Sequence, residues 1–349
     1  MHFASDNAGP VHPRIMEALA SANDGWSLGY GRDPLTEQAI QRIRDAFEAP
    51  EAAVYLTATG TACNSILLAI MARPYEIIFC TPEAHIVEDE CNAPEFYTGG
   101  AKLSLIASEN GRIDPAALDA EMAKRGAWGV QGPQLGAVSI TNVTERGTLY
   151  TTDHIREIAA ITHRHGSKLH LDGARFANAC AALGCTPAEM TWKAGVDAVS
   201  FGGTKNGCMG VEAAIIFDPA TAWEFELRRK RGGHLFSKHR YLSAQIDAYM
   251  TDDLWLDLAH SANAAAQRLA QTLKQSPDII FRWEPQANMM FVDMPRGLHR
   301  CLQAAGAVYY VWDGTLDGDP SGMATARLVT DWSCPDSAVE AFARLVIGR

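Results

Sequence analysis

The sequence predicts an α/β fold whose large domain holds a mainly parallel sheet of seven strands between helices. Short apolar runs alternate with segments of helical periodicity up to about Arg231. Such alternation favours parallel strands that are joined by helical crossovers and covered by helices on both faces. The predicted strands are Ala53–Leu56, Glu76–Cys80, Leu103–Ile106, Ala137–Ile140, Lys168–Leu171, Ala198–Ser200 and Ala213–Phe217. The predicted helices between them are Thr61–Ala72, Asp114–Lys124, Thr152–His165 and Phe176–Ala182.

The pattern changes after Arg231, where a long helical stretch, Leu242–Leu273, precedes four short strands and a closing helix. The strands are predicted at Ile279–Arg282, Met289–Val292, Val308–Trp312 and Thr325–Val329, and the helix at Asp336–Ile347. We therefore predict a large domain over residues 1–235 and a smaller C-terminal α+β domain over residues 236–349, with the first residues contacting the small domain or a neighbouring subunit. A functional site is expected in the cleft between the domains, near the carboxyl ends of the parallel strands.

The composition disfavours several classes of partner. The formal net charge is −11, whereas nucleic acids and anionic membranes attract basic patches. The N-terminus lacks the layout of a signal peptide, and no apolar run approaches the ~20 residues that span a bilayer. The eight cysteines occur singly, without the spacing of a zinc or redox site, and indicate reduced thiols. We predict a cytoplasmic protein that acts on a small molecule and binds no nucleic acid, membrane or metal.

The segment from Ser200 to Gly210 places Lys205 after a buried-looking strand, in a loop rich in glycine. Lysine is rarely tolerated in apolar surroundings unless it is paired or takes part in chemistry. Partial desolvation makes an amine a usable nucleophile toward carbonyl groups, including the aldehyde of pyridoxal phosphate (PLP). The alternative is a loop lysine that reaches solvent.

A second segment, Leu169–Arg175, puts Asp172 at the carboxyl end of an apolar strand, with Arg175 three residues later. PLP needs an acidic partner for its pyridine nitrogen, because the protonated ring is the better electron sink. Arg175 could bind a carboxylate through two parallel hydrogen bonds. The alternatives are a surface ion pair, or a helix N-cap at Asp172.

A turn and a histidine complete the set of candidate residues. The turn Thr57–Asn64 lies between a strand and a helix, where Gly60 and Thr61 offer N–H and hydroxyl donors to a phosphate, although a capped helix start has the same pattern. His85 follows the second strand and could stack on the pyridine ring or move protons, although a lone loop histidine is usually structural or solvated. We interpret the acids Glu88–Glu90 as a helix-start charge cluster rather than as metal ligands.

The order of these four signals adds to their weight. The phosphate-binding turn, the imidazole, the acid and the lysine follow one another along the chain, each at the end of a predicted strand. Ligands of such folds bind at the edge where the carboxyl ends of the parallel strands meet. Together the four signals indicate a PLP site in which Lys205 is the Schiff-base lysine.

With these motifs the sequence resembles the low-specificity L-threonine aldolases, PLP-dependent enzymes of fold type I in the aspartate-aminotransferase superfamily. The resemblance extends nearly end to end. It is carried by Ala4–Asn7, Tyr30–Pro34, Gly60–Thr61, Ala84–His85, Asp89–Phe96, Thr144–Gly147, His170–Arg175 and Phe201–Gly207. The last two motifs are the most specific.

The resemblance implies a role for each matching position. It implies that Lys205 and His85 are catalytic. It implies that the cofactor is bound by Gly60, Thr61, His85, Asp172, Arg175, Thr204 and Lys205. It implies that the substrate is bound by Ser5, Tyr30, Arg175 and Arg327. Tyr30 and the Arg228–Gly233 loop resemble segments that reach the site of a neighbouring subunit, in a tetramer or at least a dimer.

One position departs from the family pattern. Many relatives carry a second active-site histidine before the strand Ala137–Ile140, whereas no histidine stands between His85 and His154 in this sequence. Either Gln131 or a bound water takes its place, or the local alignment differs. The identity of the general base is therefore open.

The activity implied by the resemblance is cleavage of the Cα–Cβ bond of L-threonine, L-allo-threonine and related β-hydroxy-α-amino acids such as phenylserine, which yields glycine and an aldehyde. Arg327 and Arg175 would clamp the carboxylate, so that this bond is aligned for cleavage. A base near His85 would remove the β-hydroxyl proton. The alternatives are another fold type I PLP enzyme (a β-eliminating lyase, an aminotransferase or a racemase) and a non-catalytic scaffold of the same fold.

Overall fold

Strands and helices alternate through the first part of the computed structural model, which describes residues 1–348. The strands are β1 (Ala53–Thr57), β2 (Glu76–Cys80), β3 (Lys102–Leu105), β4 (Ser108–Glu109), β5 (Arg112–Ile113), β6 (Gln134–Thr141), β7 (Lys168–Gly173), β8 (Ala198–Gly202), β9 (Glu212–Ile216), β10 (Ile280–Phe281), β11 (Met289–Pro295), β12 (Tyr310–Asp313) and β13 (Met323–Val329). The helices are α1 (Pro13–Ser21), α2 (Pro34–Ala46), α3 (Gly60–Met71), α4 (His85–Glu88), α5 (Ala93–Thr98), α6 (Pro115–Gly126), α7 (Thr152–Arg164), α8 (Phe176–Leu183), α9 (Pro187–Met190), α10 (Ala222–Arg231), α11 (Arg240–Met250), α12 (Leu254–Leu273), α13 (Arg296–Ala304) and α14 (Asp336–Ile347). None of the helices within the described range is both long enough and apolar enough to cross a membrane.

Seven of the strands form one sheet in the order β1-β9-β8-β7-β6-β2-β3. The strands from β8 to β3 run parallel, while β9 pairs antiparallel with both β8 and β1. The prediction of a seven-stranded, mainly parallel sheet is therefore confirmed.

Helices cover both faces of this sheet, because successive side chains of a strand point to opposite sides. In β2, Ile77 and Phe79 join the largest core with residues of α6, α7 and α8, whereas Ile78 and Cys80 pack in a smaller cluster with α3. Both β8 and β9 are buried along their whole length. Burial on both faces explains why these strands show as continuous apolar runs.

The strands β10 to β13 form a separate antiparallel sheet in the order β10-β11-β13-β12. Its core includes the second half of α12, together with α13 and α14. Phe3 is fully buried in this core, edge-on to Phe342, whereas α11 and the start of α12 contribute to the core of the large sheet. Each core thus takes residues from the other end of the chain, and a domain boundary between residues 235 and 236 stays a prediction.

The structure differs from two local predictions in detail. The stretch Leu242–Leu273 is two helices rather than one, because Asp252 and Asp253 adopt left-handed backbone angles (φ 54° and 53°) that interrupt it. Most of the predicted Arg228–Gly233 loop is the last turn of α10, in which Arg229 is buried and pairs with Glu226 at 2.9 Å.

The close approach of β8 to the turn after β7 predicts a cost for any side chain at Gly202. A Cβ built there would lie 2.6 Å from the carbonyl oxygen of Ala174 and 2.8 Å from that of Gly173. We expect Gly202→Ala to lower the free energy of unfolding by about 1–3 kcal/mol, because backbone must move to admit the methyl group. Urea denaturation monitored by circular dichroism measures this change.

A matched control is Gly126→Ala at the end of α6, where the nearest atom to the added Cβ is Leu135 Cδ1 at 3.7 Å. Because this is an ordinary contact, the control should leave stability unchanged or slightly raised. Equal midpoints for the two variants would show that β8 does not approach the turn as closely as described.

Candidate active site

The carboxyl ends of neighbouring parallel strands meet at one edge of the large sheet and surround a cavity of about 230 Å³. His85 follows β2, Glu145 lies in the loop after β6, Asp172 lies near the end of β7, and Lys205 lies in the turn after β8. The start of α3 faces the same space. This cavity brings together all the residues predicted to bind the cofactor: Gly60, Thr61, His85, Asp172, Arg175, Thr204 and Lys205.

The side chain of Asp172 is buried and held by two hydrogen bonds. Its Oδ1 accepts from the backbone N–H of Ala174 at 2.9 Å, and its Oδ2 accepts from Asn64 Nδ2 at 2.8 Å. Asn64 also accepts a hydrogen bond from Ser200 Oγ at 2.6 Å. These two hydrogen bonds hold the carboxylate toward the cavity, and the one from Asn64 fixes its second oxygen.

Lys205 is the amine of the cavity, and its Nζ makes no hydrogen bond or ion pair with any other residue in the range 1–348. Burial lowers the pKa of its ammonium group, and the nearby positive charge of Arg175 lowers it further, against the opposing effects of Asp6, Asp172 and Glu212. A lowered pKa leaves more of the amine neutral, and a neutral amine attacks carbonyl groups.

The start of α3 presents an anion site to the cavity. Thr59 is its N-cap, with Oγ1 accepting from the N–H of Ala62 at 3.2 Å. The N–H groups of Gly60 and Thr61 lie in the first turn, where no intrahelical acceptor exists. A Cβ built on Gly60 would meet nothing within 4 Å, so open space lies beside this turn. Free donors and open space together suit a phosphate group.

The side chain of Glu90 orients His85. Its interpretation as part of a charge cluster at a helix start was wrong. The acids Glu88–Glu90 do not begin a helix but end and follow the short helix α4. Glu90 is buried and its Oε1 lies 2.8 Å from His85 Nδ1 and 2.9 Å from Asn64 Nδ2. The hydrogen bond with Glu90 raises the pKa of His85, against the opposing effect of burial.

Two further carboxyl groups line the cavity. Burial raises the pKa of Glu145 to about 7 and that of Glu212 to about 7. Gln131, the proposed substitute for the missing histidine, is exposed in a turn before β6 and lines neither this cavity nor the neighbouring cleft.

An adjoining cleft of about 670 Å³ shares Lys205 and His85 with the cavity and is lined by Ser5 and Arg327. The guanidinium of Arg327 lies over the rings of Tyr310 and Trp312, at 5.1 and 5.6 Å from their centroids. Its Nη2 donates to the carbonyl oxygen of Ala4 at 3.1 Å, while its buried Nε has no acceptor and the group has no ion pair within the described residues. Arg327 is therefore a cation ready for a carboxylate.

Arg175 also lies at this cleft, but its charge is already matched. Its Nε and Nη2 donate to the two carboxylate oxygens of Asp6 at 2.6 and 2.9 Å, a contact buried from solvent. The bidentate face that was predicted to bind a substrate carboxylate is thus held by Asp6. A role of Arg175 in substrate binding stays a prediction. Only its third nitrogen, Nη1, is not used in the pair with Asp6 and would be the donor to a substrate.

Tyr30 is the one predicted site residue that lines neither space. It is half exposed, its N–H donates to Ser237 at 2.9 Å, and the ammonium of Lys230 lies 4.7 Å from its ring centre. A contribution of Tyr30 to the site of a neighbouring subunit stays a prediction.

Comparison with known proteins gives this geometry a family. The sequence matches the β-eliminating lyase family over residues 2–295. It is 38% identical to a low specificity L-threonine aldolase of Pseudomonas aeruginosa, over 99% of this chain and 98% of that protein. The chain belongs to the low-specificity L-threonine aldolase family. Another such aldolase, from a Pseudomonas species, is 37% identical over 98% of this chain and 95% of that one. The solved structure of a Leishmania major threonine aldolase has a TM-score of 0.92 and 27% identity, with 99% of this chain and 98% of that one covered.

As a member of this threonine aldolase family the chain is a carbon–carbon lyase that uses PLP, and the residues of the cavity fit that cofactor. Lys205 is an amine without an internal partner, Asp172 is a fixed acid, and the start of α3 offers free N–H donors beside open space. These are the groups that the aldehyde, the pyridine nitrogen and the phosphate require. No group of three or more His, Cys, Asp or Glu side chains within residues 1–348 is arranged to hold a metal ion.

Sequence reasoning missed several residues of this aldolase site. They are Asp6, Asn64, Glu90, Glu145 and Glu212. Three of them lie within motifs that carried the resemblance, Asp6 in Ala4–Asn7, Glu90 in Asp89–Phe96 and Glu145 in Thr144–Gly147, so a buried acid in a family motif was the available signal. Asn64 gave no local sign, because the fold brings its partners Glu90 and Asp172 to it from distant parts of the chain.

The hydrogen bond between His85 and Glu90 predicts a change that titration can detect. Glu90→Gln removes the negative charge that favours protonated imidazole, so we expect the pKa of His85 to fall in the variant. Proton NMR of the histidine ring across the neutral pH range measures this pKa.

Glu88→Gln serves as the control, because Glu88 is an exposed acid on the same short helix. Its pKa effect on His85 should be small, since exposed charges are screened by solvent. An unchanged His85 titration in Glu90→Gln would remove Glu90 as the group that sets the protonation of the imidazole.

Proposed function

We propose that the chain catalyses cleavage of the Cα–Cβ bond of L-threonine, L-allo-threonine and related β-hydroxy-α-amino acids such as phenylserine, with glycine and an aldehyde as products. The observation that carries this proposal is the meeting of Lys205, Asp172 and the start of α3 in one cavity. Support for the substrate class comes from the 38% identity to a protein named low specificity L-threonine aldolase.

In this proposal the chain's own residues hold both the cofactor and the substrate. Lys205 would bind the cofactor covalently with Thr204 beside it, Asp172 would pair with the pyridine nitrogen, and Gly60 and Thr61 would bind the phosphate. When bound, PLP takes up the electron pair of a bond broken at Cα. Because Asp6 neutralises Arg175, the guanidinium of Arg175 adds no net positive charge to the cavity.

The choice of bond follows from how the substrate is held. Arg327 would bind the α-carboxylate, with Ser5 at the same cleft, and this contact orients the substituents of Cα relative to the plane of the cofactor. His85, held by Glu90, would cover the ring from the side of the cleft. With the carboxylate fixed, the Cα–Cβ bond is the one aligned for cleavage.

A second candidate reaction is β-elimination, because the matching family bears that name. The two reactions differ in products: elimination yields a 2-oxo acid and ammonia, whereas aldol cleavage yields glycine and an aldehyde. An aminotransferase or a racemase would give neither pair.

We further propose that the chain forms a homo-oligomer, a tetramer or at least a dimer, with active sites at the interface. Support comes from large apolar side chains that one chain leaves exposed, among them Trp26, Leu28, Met209 and Phe236. The free state of all eight cysteines supports the predicted cytoplasmic location, where thiols stay reduced. Sedimentation of the holoenzyme as a monomer would contradict the assembly.

The lysine assignment predicts a paired loss of colour and activity in Lys205→Ala. We expect the visible absorption of the covalently bound cofactor to disappear and aldehyde release from threonine to fall by more than about a thousandfold, because both depend on the amine. Absorption spectra and a coupled aldehyde assay, with glycine identified by chromatography, measure the two effects.

The matched control is Lys193→Ala, since Lys193 is a surface residue paired with Glu48 at 2.7 Å. It should keep both the colour and the activity. Full aldol cleavage by Lys205→Ala, or a 2-oxo acid as the main product of the unaltered enzyme, would contradict the proposal.

The state of Arg327 predicts a defect in substrate binding. Because a hydrogen bond to a charged group contributes about 1.5–3 kcal/mol, Arg327→Gln should raise the KM for threonine by about 10- to 100-fold. Steady-state kinetics with the cofactor saturating measure this change.

The fold should tolerate Arg327→Gln, as Arg327 makes no ion pair within the described part of the chain. Arg300→Gln is the control, because Arg300 is exposed and, among residues 1–348, its side chain donates only to the carbonyl oxygen of Leu316. A KM for Arg327→Gln within twofold of the unaltered value would place the carboxylate elsewhere.

A further inference from the structure

Glu145 is a carboxyl group of the cavity that neither holds the cofactor nor binds the substrate carboxylate in the proposed reaction. Its Oε1 accepts hydrogen bonds from the backbone N–H of His85 and from Thr141 Oγ1, both at 2.8 Å. Its Oε2 is buried and has no hydrogen-bond partner in the chain from residue 1 to 348. One oxygen of this carboxylate is thus fixed by the protein while the other is left for a ligand.

The position of Glu145 is defined by its loop and by the sheet. The turn that carries it is closed by a hydrogen bond from the N–H of Thr144 to the carbonyl oxygen of Thr148, and Thr144 Oγ1 accepts from the N–H groups of Arg146 and Thr148. The side chain lines both the cavity that contains Lys205 and the cleft that contains Arg327. It therefore stands where a substrate held between the amine and the guanidinium would pass.

Two other groups at this place already make hydrogen bonds within the chain. The Nδ1 of His85 is engaged by Glu90 at 2.8 Å, and both oxygens of Asp172 accept hydrogen bonds from the protein. Glu88 is exposed. Glu145 is the one acid within the described chain that lines both spaces, and its buried Oε2 has no hydrogen-bond partner there. Glu90 also has a buried Oε2 without a partner, but it lines the cavity and not the cleft.

We propose that Glu145 is the catalytic group that exchanges the proton of the substrate's β-hydroxyl, a role that rests on the proposed aldol cleavage. The O–H bond breaks and its proton passes to Oε2 of the carboxylate. The electron pair of that bond becomes the second bond of the aldehyde carbonyl, while the Cα–Cβ bond breaks and leaves its pair on the Cα fragment. That fragment takes up one proton at Cα to become glycine, and its delivery from Glu145 restores the carboxylate.

The surroundings of Glu145 suit a group that gains and loses a proton near neutrality. Its pKa is raised to about 7. Burial is the main cause of this shift, and the negative charge of Asp172 contributes to it. A general base works best when its pKa lies close to the working pH. Several titratable or charged groups face it from the packed elements: Asp172 in β7, Arg175 after β7, His85 in α4, Cys80 at the end of β2, and Tyr150 in its own loop.

The experiment compares the holoenzyme with Glu145→Gln. The amide oxygen can still accept from the N–H of His85 and from Thr141, so cofactor colour and fold should persist. We expect kcat for aldehyde release to fall by about 10²- to 10⁴-fold, with a KM that changes little. In the unaltered enzyme kcat should rise with pH through about 7, because the ionised carboxylate is the active form, and this limb should vanish in Glu145→Gln.

A readout independent of turnover is the infrared titration of the carboxyl groups in the substrate-free holoenzyme. With isotope-labelled glutamate, buried carboxyl bands should convert to carboxylate as the pH rises through about 7. Glu145→Gln should remove one component and Glu212→Gln the other, which separates the two acids. Glu51→Gln, at an exposed acid that lines neither the cavity nor the cleft, should change neither the bands nor the kinetics.

Glu145→Asp provides the conservative comparison and keeps the test decisive if the glutamine variant loses its cofactor. It should keep the cofactor band and the pH limb, with kcat lowered because the shorter side chain reaches less far. The proposal is overturned if Glu145→Gln keeps kcat within threefold and the same pH limb, or if Glu145→Asp is fully active without that limb. Both results leave aldol cleavage itself intact, whereas absence of aldehyde from the unaltered holoenzyme would overturn the proposed function instead.

Discussion

The parallel pairing of β7 with β8 is the constraint on which the whole site depends. In its register Asp172 lies opposite Ser200, and Lys205 follows in the first turn after β8. Since side chains alternate between faces, a slip by one residue would turn Asp172 away from the cavity. The register is held from within by His170, whose ring nitrogens lie 2.9 Å from Ser139 Oγ and 3.2 Å from Ser200 Oγ. Burial lowers the pKa of His170 to about 4, so it joins three strands as a neutral group.

The second requirement is a balance of buried charge around the amine. Burial, with a smaller contribution from the negative charge of Asp172, raises the pKa values of Glu145 and Glu212 to about 7. Asp6 offsets Arg175 directly, and Asn288, immediately before β11 of the small sheet, also donates to Asp6 at 3.1 Å. Because Phe3 is buried in the small core three residues earlier, the N-terminal segment connects that core to the site. Movement of the small sheet would therefore change the position of Arg327 directly and that of Arg175 through its contact with Asp6.

What the sequence could predict was local, and what it missed was distant. The apolar runs identified the strands, and the residue types at their ends identified Lys205, Asp172 and the α3 turn, because each signal lies within a few consecutive residues. Their supporting partners lie far away in the chain: Asn64 is 108 positions from Asp172, and Asp6 is 169 positions from Arg175. The acid cluster after His85 was misread because α4 is a single turn, too short to show a helical period. The chemical use of Glu145 depends on its burial, which no local pattern encodes.

Reduction of the holoenzyme with borohydride, followed by proteolysis and mass spectrometry, tests the central assignment most directly. Borohydride makes the bond between a lysine amine and the pyridoxal aldehyde permanent, so the modified residue can be located by its mass. We predict that one lysine in each chain, Lys205, carries the mass of the reduced cofactor. Other lysines, such as Lys230 and Lys238, should remain unmodified. Cofactor mass on a different lysine, or on none, would contradict the account.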